Sequence, residues 1–419
     1  MSALPIVVLG AGPAGLAAAH AASATGQQVV IVDENVGPGG QIWRGGAPGW
    51  RDRRADALWT QLQARAHVRY LFGTRLVARA GPGALLLDTA SGPQTLHWER
   101  AIVCSGAREL LLPFPGWPLP GVTGAGGMQA LLKGGMPIAG KRVVVAGTGP
   151  LLLAVADLLR RRGAVVAAIV EHRDQGDLLR FGAALALSHQ RKFAQALALF
   201  ASLRGIPYLR GALVVSANGE ATLGSVSVAH QGRVTEIACD FAACGYGLVP
   251  SLEVATLFGC VSEAGRVTVG HHQQTSVAHV WAAGESTGIG GVDKALAEGA
   301  IAGLSASGQP ATLSHQRARA SAQAFAALLA RSFAPRTELA ALCTDTTIVC
   351  RCEDVRAAAL LPHNSWRLAK LQTRVGMGPC QGRVCGAACR FLYGWDSGGA
   401  CTILSPVSAA TLACAAEPT

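Results

Sequence analysis

The chain has 419 residues, half of them hydrophobic, with 52 glycines, 12 cysteines and a formal net charge of +11. Such length and apolar content exclude a disordered or fibrous protein and predict two or three domains with real cores. The cations are scattered, with no basic run interleaved with aromatics, so a nucleic-acid surface is excluded; a cationic surface can steer an acidic electron-transfer partner or serve solubility alone.

Met1 to Pro5 carries neither a cationic leader nor a cleavage site, and the apolar run from Val143 to Ala156 is broken by Gly and Pro. The expectation is a cytoplasmic chain with no transmembrane segment. In a reducing compartment twelve cysteines argue for metal rather than disulfides.

The first motif is Ile6-Val7-Val8-Leu9-Gly10-Ala11-Gly12-Pro13-Ala14-Gly15, an apolar strand, a Gly-x-Gly-x-x-Gly turn and the start of an Ala-rich helix. It predicts a dinucleotide site: Gly10 permits the turn, Gly12 admits a pyrophosphate, Gly15 lets helix and strand pack, and the helix that starts at Pro13 offers the N–H groups of Ala14 and its neighbours to the anion. A second strand, Val29 to Val32, ends in Asp33 and Glu34, the expected ribose-side acids. Gly37 to Arg44 is a glycine turn on which a flat ring system can lie, with Gly40, Gln41 and Arg44 as candidate contacts. From Arg69 to Trp98 short apolar runs alternate with turns, as in a small antiparallel appendage. Arg100 to Ala107 then reads as a buried strand ending in the Ser105-Gly106 turn, with Cys104 a core thiol.

The Pro/Gly-dense stretch Leu112 to Gly121 marks a boundary. Beyond it Lys141 to Leu152 repeats the strand–turn–helix pattern with Gly147 and Gly149, Leu152 standing where the third glycine is expected, and the next strand ends in Glu171. Glu171 favours a free 2′-hydroxyl, hence NAD or an adenine nucleotide over NADP, and a scaffold with no mobile nicotinamide is an equal alternative. Asp177 to Leu203 reads as helix, Ile206 to Ile237 as short strands, and Asp240 to Pro250 as the crossing back that makes this an inserted domain. Thr275 to Glu285 reads as a strand ending in Gly284-Glu285, and a helix starts after Gly291; the acid suits a ribityl hydroxyl and the helix start an anionic ring.

After a helical connector from Leu313 to Ala334, four thiols fall in two close pairs, Cys350-x-Cys352 and Cys380-x4-Cys385, on glycine-rich loops. That pattern suits a [2Fe–2S] cluster; zinc is the alternative, disfavoured by the Cys-x-Cys spacing. Cys343 and Cys389 read as neighbouring thiols, Cys401 and Cys414 as inert tail residues.

Together these motifs resemble the two-dinucleotide-domain flavoprotein reductases related to thioredoxin and glutathione reductase, over about residues 1–310. The resemblance implies FAD in the first domain, NAD(P) in the second and a ribityl contact from Glu285, where the family uses Asp. No redox-active Cys-x-x-Cys or Cys-x4-Cys is assigned to the flavin-binding or nucleotide regions, so disulfide reduction is not expected. The cysteine segment resembles the bacterioferritin-associated-ferredoxin-like [2Fe–2S] domain, with ligands Cys350, Cys352, Cys380 and Cys385. The whole chain resembles the α subunit of heteromeric amino-acid and opine dehydrogenases, the group of D-hydroxyproline dehydrogenase, octopine/nopaline oxidase and hydrogen cyanide synthase.

That resemblance implies an α/β fold of two Rossmann-like domains, the second inserted in the first, plus a small C-terminal [2Fe–2S] domain. The expected divisions are 1–112 and 245–310 for FAD, 113–244 for the insert, 311–340 for the connector, 341–400 for the cluster and 401–419 for a tail. The implied partners are a D-amino-acid-oxidase-like β subunit with its own flavin and a small ferredoxin-like γ subunit. Electrons would pass to a respiratory or ferredoxin-type acceptor, the former a route to membrane association. No residue stands out as an acid or base toward substrate, so no catalytic residue is assigned. A self-contained NADH-dependent oxidoreductase and a non-catalytic iron–sulfur scaffold remain as alternatives.

Overall fold

A computed structural model of the protein describes residues 4–46, 50, 52–396 and 403–416; Met1 to Ala3 and Cys401 lie outside the described residues. The chain divides into two compact units, one of residues 1–108, 249–327 and 399–419, the other of residues 109–248 and 328–398.

The first unit is built on a five-stranded parallel sheet in the order Val280–Ala282, Arg100–Val103, Ile6–Leu9, Val29–Val32, Val68–Leu71. Ile6–Leu9 and Val29–Val32 are buried at every position, as β-branched runs covered on both faces must be. Val68–Leu71, which the sequence assigns to the antiparallel appendage, is the outer strand of this sheet. It is only partly buried, as the outermost strand of a sheet can be. The appendage itself is Arg75–Arg79, Ala84–Thr89 and Gly92–His97.

Helices Pro13–Ala22 and Val292–Ala306 pack with their backbones almost touching. A Cβ on Gly299 would overlap the carbonyl of Ala14, and one on Gly303 that of Ala18. Only glycine at those two positions allows this approach, which brings the residues after Gly284 up to the first glycine loop.

The second unit repeats the plan. Its parallel sheet runs Tyr208–Arg210, Val165–Glu171, Arg142–Gly147, Phe241–Gly245, Val122–Gly124, again with the glycine-loop strand in the centre. An antiparallel trio, Ala212–Asn218, Ser225–His230 and Arg233–Ala238, follows the outer strand Tyr208–Arg210 as the appendage follows Val68–Leu71 in the first unit. The helix expected over Asp177 to Leu203 is two, Gln175–Ser188 and Gln190–Ser202, broken where His189 adopts φ −142° and ψ 56°. No glycine or proline marks the break, so helical propensity runs through it unsignalled.

The connector is the helix Leu313–Phe333. The cysteine segment is a two-stranded ribbon, Ile348–Cys350 with Val355–Arg356, and two helices, Trp366–Thr373 and Cys385–Tyr393, around Val349, Leu360, Val375 and Trp395. It packs within the second unit: the Trp117 indole N–H donates to Ile348 O at 2.6 Å, and the Arg351 guanidinium lies 5.0 Å over the Trp117 ring. Among the described residues no helix is long and apolar enough to cross a membrane.

Candidate functional site

In the first unit the loop after Ile6–Leu9 is shaped by what a side chain would meet. Gly10 has φ +111°, and a Cβ there would overlap the carbonyl of Cys104; a Cβ on Gly15 would overlap the carbonyl of Gly10. Gly12 is extended and Pro13 begins the helix, where its missing N–H costs nothing. The turn holding Gly40 folds onto this loop: Gly39 N–H donates to Ala11 O at 2.8 Å, and a Cβ on Gly40 would lie 2.9 Å from Gly12 Cα. Gly15→Ala is therefore expected to cut the dinucleotide retained through gel filtration about tenfold or more, since overpacking costs typically 1–3 kcal/mol.

Asp33 is buried, with Oδ2 accepting the Ala11 N–H at 2.6 Å and Oδ1 accepting from Asn35 N and Nδ2 at 2.8 and 2.7 Å. Arg44 donates to Gln41 Oε1 at 3.0 Å and to Asn35 Oδ1 at 3.2 Å. Asn35, which carries no motif of its own, thus links Asp33 to Arg44 and Gln41 along the open side of the loop. Glu34 is exposed. Ser105 donates its hydroxyl to Ser251 O at 2.6 Å, and Gly106, at φ +70°, accepts the Ser251 N–H at 3.0 Å, so this turn is spent on the returning chain.

Gly284 has φ +84°, and a Cβ there would lie 2.7 Å from Ala14 Cβ, so the Gly284-Glu285 turn abuts the first helix. Glu285 accepts the N–H of Gly291 at 2.7 Å and of Gly290 at 3.2 Å. Burial raises its pKa, opposed by those N–H groups and by the charge of Lys294. Behind it lies a network with no motif to announce it. Lys294 Nζ donates to Gly284 O at 2.8 Å, Thr287 Oγ1 at 2.8 Å and Glu298 Oε2 at 2.7 Å. Glu298 Oε2 also accepts Gly284 N–H at 3.1 Å and the Thr287 hydroxyl at 2.6 Å, and its Oε1 accepts from Gln323 at 3.1 Å. Both peptide groups of Gly284 are held, and Lys294 and Glu298 are 4% and 1% exposed.

In the second unit Gly147 has φ +134°, and a Cβ would overlap the carbonyl of Gly245. Glu171 accepts the N–H groups of Gly149 and Arg173, each at 2.9 Å, bracing the loop as Asp33 does in the first unit. Leu152 is buried in the core between helix and sheet.

The cysteines pair across the two segments. The Cys385 thiol donates to Cys350, and the N–H groups of Gly376, Glu353 and Cys352 point at the same sulfur, bringing the Cys350 thiol down to about 5 despite its burial. The same bond and burial push Cys385 above the ordinary thiol range. Cys352, raised by burial, accepts the N–H of Cys380 and contacts its thiol. The intervening loop holds left-handed residues at Arg374, Gly376, Gln381 and Gly382, and a Cβ on Gly378 would overlap Cys352 Cβ. Among the described residues no set of three or more His, Cys, Asp or Glu converges as a ready-made metal site. Cys389 is fully buried behind Cys350, Cys343 is half-buried and Cys414 exposed.

Residues 4–299 match the family described as pyridine nucleotide-disulphide oxidoreductase. Hydrogen cyanide synthase subunit HcnB of Pseudomonas protegens is 32% identical over 432 residues, covering 93% of this chain and 91% of that protein. An opine oxidase subunit from Rhizobium meliloti is 32% identical, covering 92% and 91%. The fold is shared with L-proline dehydrogenase from P. horikoshii, at 17% identity and a TM-score of 0.71 over 98% of this chain and 79% of that one.

Proposed function

The chain belongs to the pyridine nucleotide-disulphide oxidoreductase family, among relatives that are subunits of larger enzymes, and from that premise we propose an electron-transfer role for this flavin-dependent oxidoreductase. It acts as the flavin and iron–sulfur subunit of a heteromeric amine or amino-acid dehydrogenase, with D-hydroxyproline or an opine as substrate of the complex. A D-amino-acid-oxidase-like β subunit takes the electrons from the C–N bond, a small ferredoxin-like γ subunit completes the assembly, and a respiratory or ferredoxin-type acceptor receives them in the cytoplasm.

One observation carries this reading: among the described residues, the thiol that gathers hydrogen bonds lies in the cysteine segment, while the one beside the first loop is buried and not reactive. Cys104 sits fully buried under Gly10, and burial pushes its thiol far up. Cys350 instead collects three backbone N–H groups and a partner thiol, the surroundings that suit a cluster sulfur. Cys350, Cys352, Cys380 and Cys385 would hold the [2Fe–2S] group.

FAD would be held by the N–H groups of Ala14 and Gly15 behind Pro13 at its pyrophosphate, by Asp33 with Glu34 at the ribose, by Gly40, Gln41 and Arg44 on the ring side and by Glu285 at the ribityl chain, with the helix start at Gly291 beyond. Bound FAD supplies two-electron chemistry, and the cluster single-electron transfer. Gly147, Gly149 and Glu171 are the residues that a self-contained NADH-dependent oxidoreductase would use, with NAD or an adenine nucleotide on the second loop.

Anaerobic mixing separates the two readings. The flavin of this subunit is expected to bleach on addition of D-hydroxyproline or an opine when the partner subunit is present, and to stay oxidised with NADH alone. Rapid bleaching by NADH without a partner overturns the proposal.

A further inference from the structure

The second glycine loop carries a contact that the first lacks. Gly149 has φ +95°, and a Cβ placed on it would lie 3.4 Å from Cγ of Phe333. The phenyl ring therefore covers the second glycine of the motif, the position that stays bare so that the backbone can meet a pyrophosphate. At Gly12, with φ −72°, the nearest atom to such a Cβ is Gly40 Cα at 3.9 Å, and no side chain reaches it.

Phe333 ends the connector helix and stands edge-on to Phe181, ring centroids 4.7 Å apart at 76°. The residues that follow are tied down beside the carboxylate end of the same site. Ala334 O accepts the Arg173 guanidinium, and Arg336 pairs with Asp177 and, at 3.5 Å, with Asp174. Arg173 in turn lies 3.6 Å from Asp177. Arg173 comes two residues after Glu171, the acid to which a ribose would bond. Arg173 and Arg336 are thus both paired with carboxylates of the chain itself, Asp177 being shared with Arg180 at 2.6 Å.

We infer that residues 333–336 occupy the nucleotide side of the second loop, and that Phe333 and Arg336 close this domain to NADH. An apolar ring laid on a glycine loop takes the place of an anion that the helix N-terminus would otherwise favour. The connector leading to the cysteine segment is then the element that decides what the second domain admits. The inference goes beyond the proposed relay and does not depend on the identity of either redox group.

Calorimetric titration of NADH into the full-length protein tests it. Wild-type protein is expected to bind no NADH at concentrations of about 1 mM, the weak end of ordinary affinities. The Phe333→Ala/Arg336→Ala double variant is expected to bind about tenfold or more tighter, and Phe333→Leu, which keeps most of the apolar contact, to gain less. Micromolar binding by the wild type overturns the inference. So does the absence of any gain when either variant elutes as folded protein with wild-type flavin and iron content. Binding is read separately from electron transfer: wild-type protein that binds NADH while its flavin stays oxidised sinks this inference alone, and bleaching sinks the relay as well.

Discussion

Cys380→Ser is expected to remove iron and acid-labile sulfide from the purified protein and to abolish the EPR signal of its reduced form, while flavin content stays at the wild-type level. The four thiols reach the site as two pairs, Cys350 with Cys385 and Cys352 with Cys380. Removing Cys380 leaves Cys352, which is exposed, as the lone thiol of its pair. A hydroxyl is a poor soft-metal ligand, so one substitution is enough to release the cluster. The first glycine loop, Asp33 and Glu285 belong to the other compact unit and should keep their flavin. Cys389→Ser is the contrasting variant. Cys389 is fully buried, and burial pushes its thiol up to about 12, the behaviour of a packing residue. Its replacement is expected to retain iron and to lower the unfolding midpoint. An unchanged EPR signal in Cys380→Ser refutes the ligand set, and stoichiometric zinc without iron in the wild type refutes the iron–sulfur assignment.

The parts of the fold legible in the sequence are those whose physics is local. Gly10, Gly12 and Gly15 sit within six residues because one turn needs all three, and Asp33 follows at the end of the adjacent strand. The cysteine loops are legible for the same reason. What escaped depends on partners distant in sequence. Lys294 and Glu298 stand four apart on a helix and read as an ordinary surface pair. They are buried because Gly299 and Gly303 let that helix close on Pro13–Ala22, a contact that no local pattern announces. Asn35 gains its role only when the Gly40 turn brings Arg44 back to it. Val68–Leu71 reads as part of the appendage because it is a short apolar run followed by a turn, like the strands after it, and only its pairing with Val29–Val32 sets it apart. Phe333 reads as the end of a connector, and nothing near it in sequence points to Gly149.

Lys294→Met is expected to lower stability by roughly 3–5 kcal/mol, read by denaturant unfolding, because it strands the Glu298 carboxylate in the core. Replacing both partners by apolar residues, Lys294→Met/Glu298→Leu, should recover most of that loss, since a buried ion pair contributes little net stability over a packed apolar pair. Flavin retention should not recover with it. In the double variant Gly284 loses the acceptor for its N–H and one of the two donors to its carbonyl, the Thr287 hydroxyl alone remaining, and the turn that presents Glu285 is held less firmly. The pH dependence of flavin loading separates the two effects. Glu285 already has its pKa raised by burial, and Lys294 is one of the groups pulling it down. Without that charge the carboxylate takes up its proton at a higher pH. As pH is lowered, the single Lys294→Met protein should therefore release flavin before the wild type does, the double variant, which also loses the Glu298 charge that raises Glu285, should fall between them, and Lys294→Arg, which keeps the charge, should follow the wild-type profile. Release at one common pH in all four proteins would mean that Lys294 supports the turn by packing alone, with no electrostatic part in holding Glu285 ionised.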